Sequence, residues 1–264
     1  MAPRIRATLA GAFVSSLLLV GSPAQTWGQS RTAPQRTKTK KVEVTPGAHY
    51  EAGGLRRFFF GEGYRDLWTT PIEVPVLDFK TFGGGLRVLE KSGGNQTKGL
   101  RLEGRDGTQY VFRSVDKYGT QAGKKFKNTV VDVVAKDQIS ASHPAAAMVA
   151  ARLLEAAKVL HVTPALYVMP DDPALGEFRE AFKGTLGMVE EYPSVPDEGP
   201  GFAGAVEIVD SDTLLARLNR NPAERFDATA LLTARLMDMF LGDWDRHGGQ
   251  WRWARTRLKP PSPW

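Results

Sequence analysis

Between Gly242 and Trp251 the chain gathers side chains able to do chemistry: Asp243, Asp245, Arg246, His247 and Gln250. A carboxylate can take a proton from a hydroxyl, an arginine can neutralise anionic oxygens, and an amide oxygen can meet a hard cation. A strongly apolar helix is expected before them, ended by Gly242, because glycine enters the left-handed C-cap at little cost. The polar residues are then displayed on a short loop at the edge of the core, where functional groups tend to sit. The same residue types also make an ordinary loop, with Trp244 and Trp251 as core. The elements that precede the loop have to decide between the two.

At 264 residues the chain can build one large domain or two small ones. It has no cysteine, so a disulfide scaffold and thiolate metal sites are excluded. Arg4 and Arg6, the uncharged apolar run Leu9 to Val20 and the small residues Ser22-Pro23-Ala24 read as a signal peptide over residues 1–24. The protein is therefore expected to be exported, to a periplasm, an outer membrane or the medium. Of the formal net charge of +6, the leader holds two and residues 25–45 hold four, through Arg31, Arg36, Lys38, Lys40 and Lys41 against Glu43. Residues 46–264 are formally neutral, which argues against a nucleic-acid-binding domain. The basic stretch 25–45 reads as a disordered linker able to touch an anionic membrane surface.

Residues 46–80 form an aromatic, proline-rich arm with Phe58, Phe59, Phe60, Tyr64 and Trp68, whose rings are expected in the core. Pro71 and Pro75 bar a central strand there and predict an extended edge. From Gly85 the pattern alternates. Strands are expected over Gly85 to Glu90, Lys98 to Glu103 and Gln109 to Val115, joined by a glycine turn at Ser92 to Gln96 and a hairpin turn at Asp106-Gly107. Helices follow at Thr129 to Gln138 and Pro144 to Leu160. Ser142 is placed to cap the second, whose packing face is Ala145, Met148, Val149, Arg152, Leu153 and Ala156. Strands at Val162 to Met169 and Thr185 to Val189 flank a short helix at Leu175 to Phe182. After an acidic linker and a helix at Asp212 to Leu218, Asp227 caps the last helix, with Ala228, Leu231, Leu232, Leu236, Met239 and Phe240 as its apolar stripe.

This order resembles the protein-kinase-like superfamily. Ser92-Gly93-Gly94-Asn95-Gln96-Thr97-Lys98 resembles the G-x-Q-x-K turn of HipA-like kinases, which covers nucleotide phosphates. Gly242-Asp243-Trp244-Asp245-Arg246-His247-Gly248-Gly249-Gln250 resembles their catalytic loop, with Gln250 where a metal-binding Asn stands, and is also similar to the Asp-Arg-His loops of phosphoinositide and secreted casein-type kinases. The stretch Gly63 to Asp78 looks like exported bacterial proteins, some of which continue into a membrane β-barrel. The kinase-like resemblance spans about residues 80–255.

The resemblance implies an α+β fold: an antiparallel N-lobe sheet with helices over residues 81–193, a linker at 194–211, the start of a helical C-lobe at 212–255, and an irregular tail at 256–264. It implies Mg-ATP (magnesium or manganese) as phosphoryl source and a hydroxyl-bearing acceptor. Asp245 is then the base, Arg246 a charge neutraliser, His247 a loop anchor and Gln250 a metal ligand. Gly93, Gly94, Gln96 and Lys98 cover phosphates, and Glu190 and Tyr192 lie at the adenine-contacting hinge. Arg113, by strand register, or Lys117 just beyond it fills the phosphate-pairing lysine position, with Glu155 or Asp137 as partner carboxylate.

Other chemistries fit less well. The four histidines have no paired spacing for zinc, and neither a G-x-S-x-G elbow nor a P-loop is present. After Trp251 the chain shows no second metal-binding Asp and ends in a proline-rich stretch, so it reads as a truncated kinase-like domain, weak or inactive as it stands. ATP is scarce outside the cytoplasm. The alternative expectation is therefore a non-catalytic envelope module that binds a partner or ligand on the same scaffold, associated with a membrane surface or an outer-membrane barrel. A third is a phosphate- or lipid-head-group-binding domain using the same glycine turn.

Overall fold

The computed structural model describes residues 39–93, 97–117, 133–134, 137–256 and 263–264. Its centre is a five-stranded antiparallel sheet of β3 (Arg87–Ser92), β4 (Gly99–Glu103), β5 (Gln109–Ser114), β6 (Ala165–Val168) and β7 (Leu186–Glu191), in the order β3-β4-β5-β7-β6. The fold is thus mixed α+β with an antiparallel sheet, as the alternation in the sequence implies. Asp106-Gly107 makes the hairpin turn, with Gly107 at φ 77°.

Register explains the core. Leu100 faces Phe112, Leu102 faces Tyr110, and Phe112 faces Val189 across the next ladder, so one face collects the large apolar side chains. Leu77, Phe79 and Leu86 before the sheet, with Met169, Leu175 and Phe182 between β6 and β7, close over that face. Leu100, Leu102, Phe112 and Val189 are wholly buried. Each contributes about 1.5–3 kcal/mol of apolar burial. The opposite face, one residue out of phase, carries Arg101, Val111, Arg113, Met188 and Glu190. That face is polar over much of its length.

The N-terminal arm adds a two-stranded ribbon. β1 (Lys41–Val44), which falls within the stretch 25–45 expected to be a disordered linker, is instead a strand paired with β2 (Ile72–Pro75), because Val42 and Val44 find apolar cover there. The Val76 to Val168 bridge, the Leu77 N–H to Val168 carbonyl hydrogen bond and the shared cluster of Val74, Val168 and Leu186 join this ribbon to the main sheet. The prolines keep β2 out of a central position, as anticipated. Between the two strands lie α1 (Gly54–Phe60) and α2 (Arg65–Thr69). Tyr50 and Trp68 are buried edge to face at 4.9 Å, and the Trp68 indole N–H donates to the Ser142 carbonyl. Phe58, Phe59, Phe60 and Tyr64 depart from the expected core placement: they are 82%, 70%, 40% and 45% exposed. Arg65 takes the interior position instead, because Asp137 neutralises it there.

The helix expected at Thr129 to Gln138 falls largely outside the described residues. α3 (Ala146–Ala156) starts later than expected. Ala145, not Ser142, is its N-cap, and the His143 Nδ1 accepts the Ala145 N–H. Its buried residue is Ala151, while Val149 and Leu153 of the expected packing face are exposed. α4 (Arg179–Phe182) follows a 3-10 turn capped by Asp172. β8 (Glu207–Val209) pairs with β9 (Trp253–Arg255), bracketing α5 (Ser211–Arg220) and α6 (Ala228–Leu241). Asp227 caps α6 by accepting the Ala230 N–H, and Gly242 ends it at φ 70° in the left-handed region, both as expected.

The expected stripe of α6 is not the one that packs. Leu232, Leu236, Met239 and Phe240 are exposed, whereas Ala234 and Asp238 are buried. Helical periodicity identifies an apolar side but not whether a neighbour covers it. Among the described residues no helix is long and apolar enough to cross a membrane.

Candidate functional site

The loop after α6 is built by its own polar residues. With helix α6 stopped at Gly242, the Asp243 N–H turns back to the Asp238 carbonyl. Arg246 then clamps the loop: its guanidinium meets Asp243 at 2.6 Å and Asp238 at 3.4 Å, and Asp238 is also held by Arg235 at 2.8 Å. The cation expected to neutralise phosphate is therefore spent inside the loop. His247 caps the 3-10 turn Gly248–Gln250 by accepting the Gly249 N–H, and the Gln250 amide oxygen accepts the His247 N–H in return. The anchoring expected of His247 is present as a cap rather than as packing, since the residue is exposed. Asp245 stands apart. It is exposed and makes no hydrogen bond or ion pair among the described residues.

Two tethers fix this loop to the rest of the chain. The Ser211 hydroxyl at the start of α5 donates to the Gly248 carbonyl at 2.8 Å and accepts the Trp253 indole N–H at 3.1 Å. Arg252 donates to the Trp251 and Gly249 carbonyls and reaches the Tyr192 hydroxyl at 3.4 Å, joining the loop to the end of β7. Arg101 of β4 lies over the Tyr192 ring at 3.6 Å. Burial pushes the Tyr192 phenol up, but the hydrogen bond and charge of Arg252, with Arg101, outweigh it and hold the phenol below its ordinary value. Arg252 and Arg101 stand outside the set expected from the sequence. Arg252 lies two residues past Gln250, and Arg101 shares the strand parity of Arg113, so a signal for each is present there.

On the polar face of the sheet Arg113 meets Glu190 of β7 at 3.3 Å. Burial pushes the Glu190 carboxyl up and Arg113 only partly opposes it. Glu190, expected at the adenine-contacting hinge, is thus the carboxylate beside Arg113. Glu155 instead pairs with Arg152 on the surface of α3, and Asp137 is buried against Arg65 and Arg56. Lys117 is exposed just beyond β5.

The glycine turn is described in part, because Gly94 and Gln96 lie outside the described residues. Gly93 adopts φ 109°, and a Cβ there would approach the Thr97 carbonyl at 2.8 Å, so this position requires glycine. Lys98 stands opposite Ser114, on the core side of the sheet, and its ammonium donates to the Ala181 carbonyl. Its neighbour Gly99, not Lys98, faces Arg113. Lys98 and Arg113 are therefore directed to opposite faces.

Two open depressions flank the segment after β7. The smaller has a volume of 530 Å³ and is walled by Tyr192, Ser194, Ile208, Asp210, Thr213 and Arg252. The larger, of 1180 Å³, lies toward the β4–β5 turn, with Arg87, Glu103, Arg105 and Asp106. The smaller depression is the better candidate because Tyr192 and Arg252 join it to the Asp245 loop. Among the described residues no three histidine, aspartate or glutamate side chains converge as metal ligands. The Gln250 oxygen, the expected metal ligand, accepts the His247 N–H at 3.3 Å. No family model, no curated protein and no solved structure gives a significant match to this chain.

Proposed function

We propose that this chain is an exported kinase-like domain whose site transfers a phosphoryl group from ATP to a hydroxyl. The observation that carries the reading is the Arg113–Glu190 pair on the polar face of the antiparallel sheet. The element order supports it. A three-stranded glycine-turn sheet, a helix, two further strands, a linker and a glycine-capped helix lead to an exposed Asp245.

In this reading the Arg113 fork, steadied by Glu190, donates N–H groups to non-bridging phosphate oxygens. Asp245 orients the acceptor hydroxyl and takes its proton as the acceptor oxygen bonds to the γ-phosphorus. The bond to the bridging oxygen breaks and ADP leaves. Arg246 and His247 hold the loop in shape, and Arg252 links it to Tyr192 beside the smaller depression. The acceptor is a hydroxyl-bearing molecule or envelope protein, and no step is assigned to a protein-held metal.

A second reading, a non-catalytic envelope binding module, is favoured by the same loop chemistry. Arg246 is committed to Asp238 and Asp243, and Gln250 is turned back onto His247. Thermal melts with and without Mg-ATP separate the two. A kinase-like site predicts a rise in Tm, worth about 2.7 kcal/mol at a hundredfold excess over Kd, that Arg113→Ala removes. Asp245→Asn should retain the rise but lose phosphate transfer. No rise in the wild-type protein would leave the binding-module reading in place.

A further inference from the structure

Trp264 is seated in the protein as a ligand would be. Its backbone N–H donates to the Arg225 carbonyl at 3.1 Å, and its carbonyl accepts the Asp227 N–H at 3.0 Å, on either side of Phe226 in the connection between α5 and α6. The indole N–H donates to Glu224 Oε2 at 2.7 Å. The guanidinium of Arg255 on β9 lies 3.8 Å from the ring centroid, and that of Arg217 on α5 lies 5.0 Å from it. The residue is buried although it belongs to no helix or strand. Main-chain hydrogen bonds joined to one side-chain pocket are the means by which extended peptides are recognised.

We infer that this slot is a recognition site for a tryptophan on an extended segment, filled in cis by Trp264, and that its occupancy steadies the Asp245 loop. Three observations carry the inference. First, the walls hold each other: Arg255 pairs with Glu224 and approaches Glu207 at 4.0 Å, and Arg217 pairs with Glu207. The slot therefore keeps its shape when empty. Second, its chemistry selects an indole. Tryptophan gives the strongest cation–π attraction of the aromatic side chains, and its ring nitrogen only donates, which suits a carboxylate. The hydrogen bond from Trp264, ahead of Arg255 and Arg217, holds the Glu224 carboxyl below the ordinary range against the opposing effect of burial, so the acceptor is ionised. Third, β9 joins the slot to the loop. Two residues before Arg255, Trp253 donates to the Ser211 hydroxyl that also holds Gly248, and Arg252 reaches Tyr192. Eight residues separate Arg255 from Trp264, a tether that keeps the ring near its slot at about millimolar effective concentration. A free segment therefore enters readily only when Trp264 is removed.

The test uses the full chain carrying Trp264→Ala and a fluorescein-labelled, amidated peptide of residues 259–264, Lys-Pro-Pro-Ser-Pro-Trp, followed by anisotropy. The variant should bind the peptide, and the wild-type protein should bind it at least about tenfold more weakly because its slot is filled. Replacing the peptide's tryptophan by alanine should weaken binding on the order of a hundredfold, and Glu224→Gln in the Trp264→Ala chain about tenfold. Amide hydrogen exchange over residues 243–250 should be faster in Trp264→Ala than in the wild-type protein and slow again on adding the peptide. If Trp264→Ala does not fold, Trp264→Phe takes its place: it keeps the main-chain bonds and a ring but loses the N–H to Glu224, and the peptide should displace it with the same slowing of the loop. Absence of peptide binding, or binding indifferent to the peptide's tryptophan or to Glu224, would overturn the slot. Binding that leaves loop exchange unchanged would overturn its link to the Asp245 loop.

Discussion

The buried Arg65–Asp137 pair offers the sharpest test of how the N-terminal arm is held. The Arg65 side chain is wholly buried and that of Asp137 is 1% exposed, and the two meet through both carboxylate oxygens at 3.1 and 2.6 Å. Arg65 also donates to the Tyr50 and Gly61 carbonyls. Removing either partner leaves an uncompensated buried charge, which costs about 3–5 kcal/mol. For a chain of this size that is a fall in Tm of roughly 6–20 °C. Arg65→Leu and Asp137→Leu should each show it in thermal and urea melts. Combined, they should cost less than the sum by about 2 kcal/mol or more, because each single change strands the other charge. Arg56 also contacts Asp137 but is 39% exposed. Arg56→Ala should therefore cost about 1 kcal/mol or less.

The pH dependence follows from the same geometry. Burial, the largest influence on Asp137, pushes its carboxyl up, but Arg65 and Arg56 together outweigh it and leave it below the ordinary range. The folded value being the lower one, the pair's contribution is complete above the ordinary carboxylate pKa of about 3.9 and is lost as pH falls through the folded value. Asp137→Leu should therefore flatten the acid limb of the stability curve. Single substitutions costing under about 1 kcal/mol, with additive double-mutant effects, would refute the clamp.

Backbone and packing predictions can be read from two glycines. A Cβ at Gly242 meets no atom within 4 Å. Gly242→Ala should then cost only the strain of the left-handed conformation, roughly 1 kcal/mol. Gly187→Ala would place its Cβ 2.2 Å from the buried Phe112 ring. It should cost about 3 kcal/mol, partly recovered by Phe112→Leu in the same chain. Urea melts read both. Absorbance titration of the wild-type protein against Tyr192→Phe should show this phenol ionising below the ordinary value of about 10, and Arg252→Ala should move it upward. Since the depressed phenol favours the folded state when ionised, its stabilisation should be full only above the ordinary value and fall away as pH drops through the folded one. A Tyr192 that titrates at or above an ordinary tyrosine would contradict the Arg101–Tyr192–Arg252 stack.

Local chemistry settled much of this chain before any neighbour was considered. Alternation and turn residues placed β3, β4 and β5 to within a few residues, because a half-buried strand repeats every second residue and Asp-Gly suits a tight hairpin. Asp227 and Gly242 marked both ends of α6, since capping and left-handed φ are properties of single residues. Pro71 and Pro75 likewise excluded a central strand. What the tertiary structure decided were matters of pairing and cover. Glu190 rather than Glu155 or Asp137 met Arg113, because β7 happens to lie beside β5 and strand order is not written in local periodicity. Arg246 turned inward because Asp243 and the buried Asp238 bring two carboxylates beside it, and Gln250 turned back to His247. The rings of Phe58 and Phe59 and the stripe of α6 faced outward although composition marked both as core. Hydrophobicity states that a side chain gains by leaving water, and only the positions of the surrounding elements state whether there is anything to leave it for.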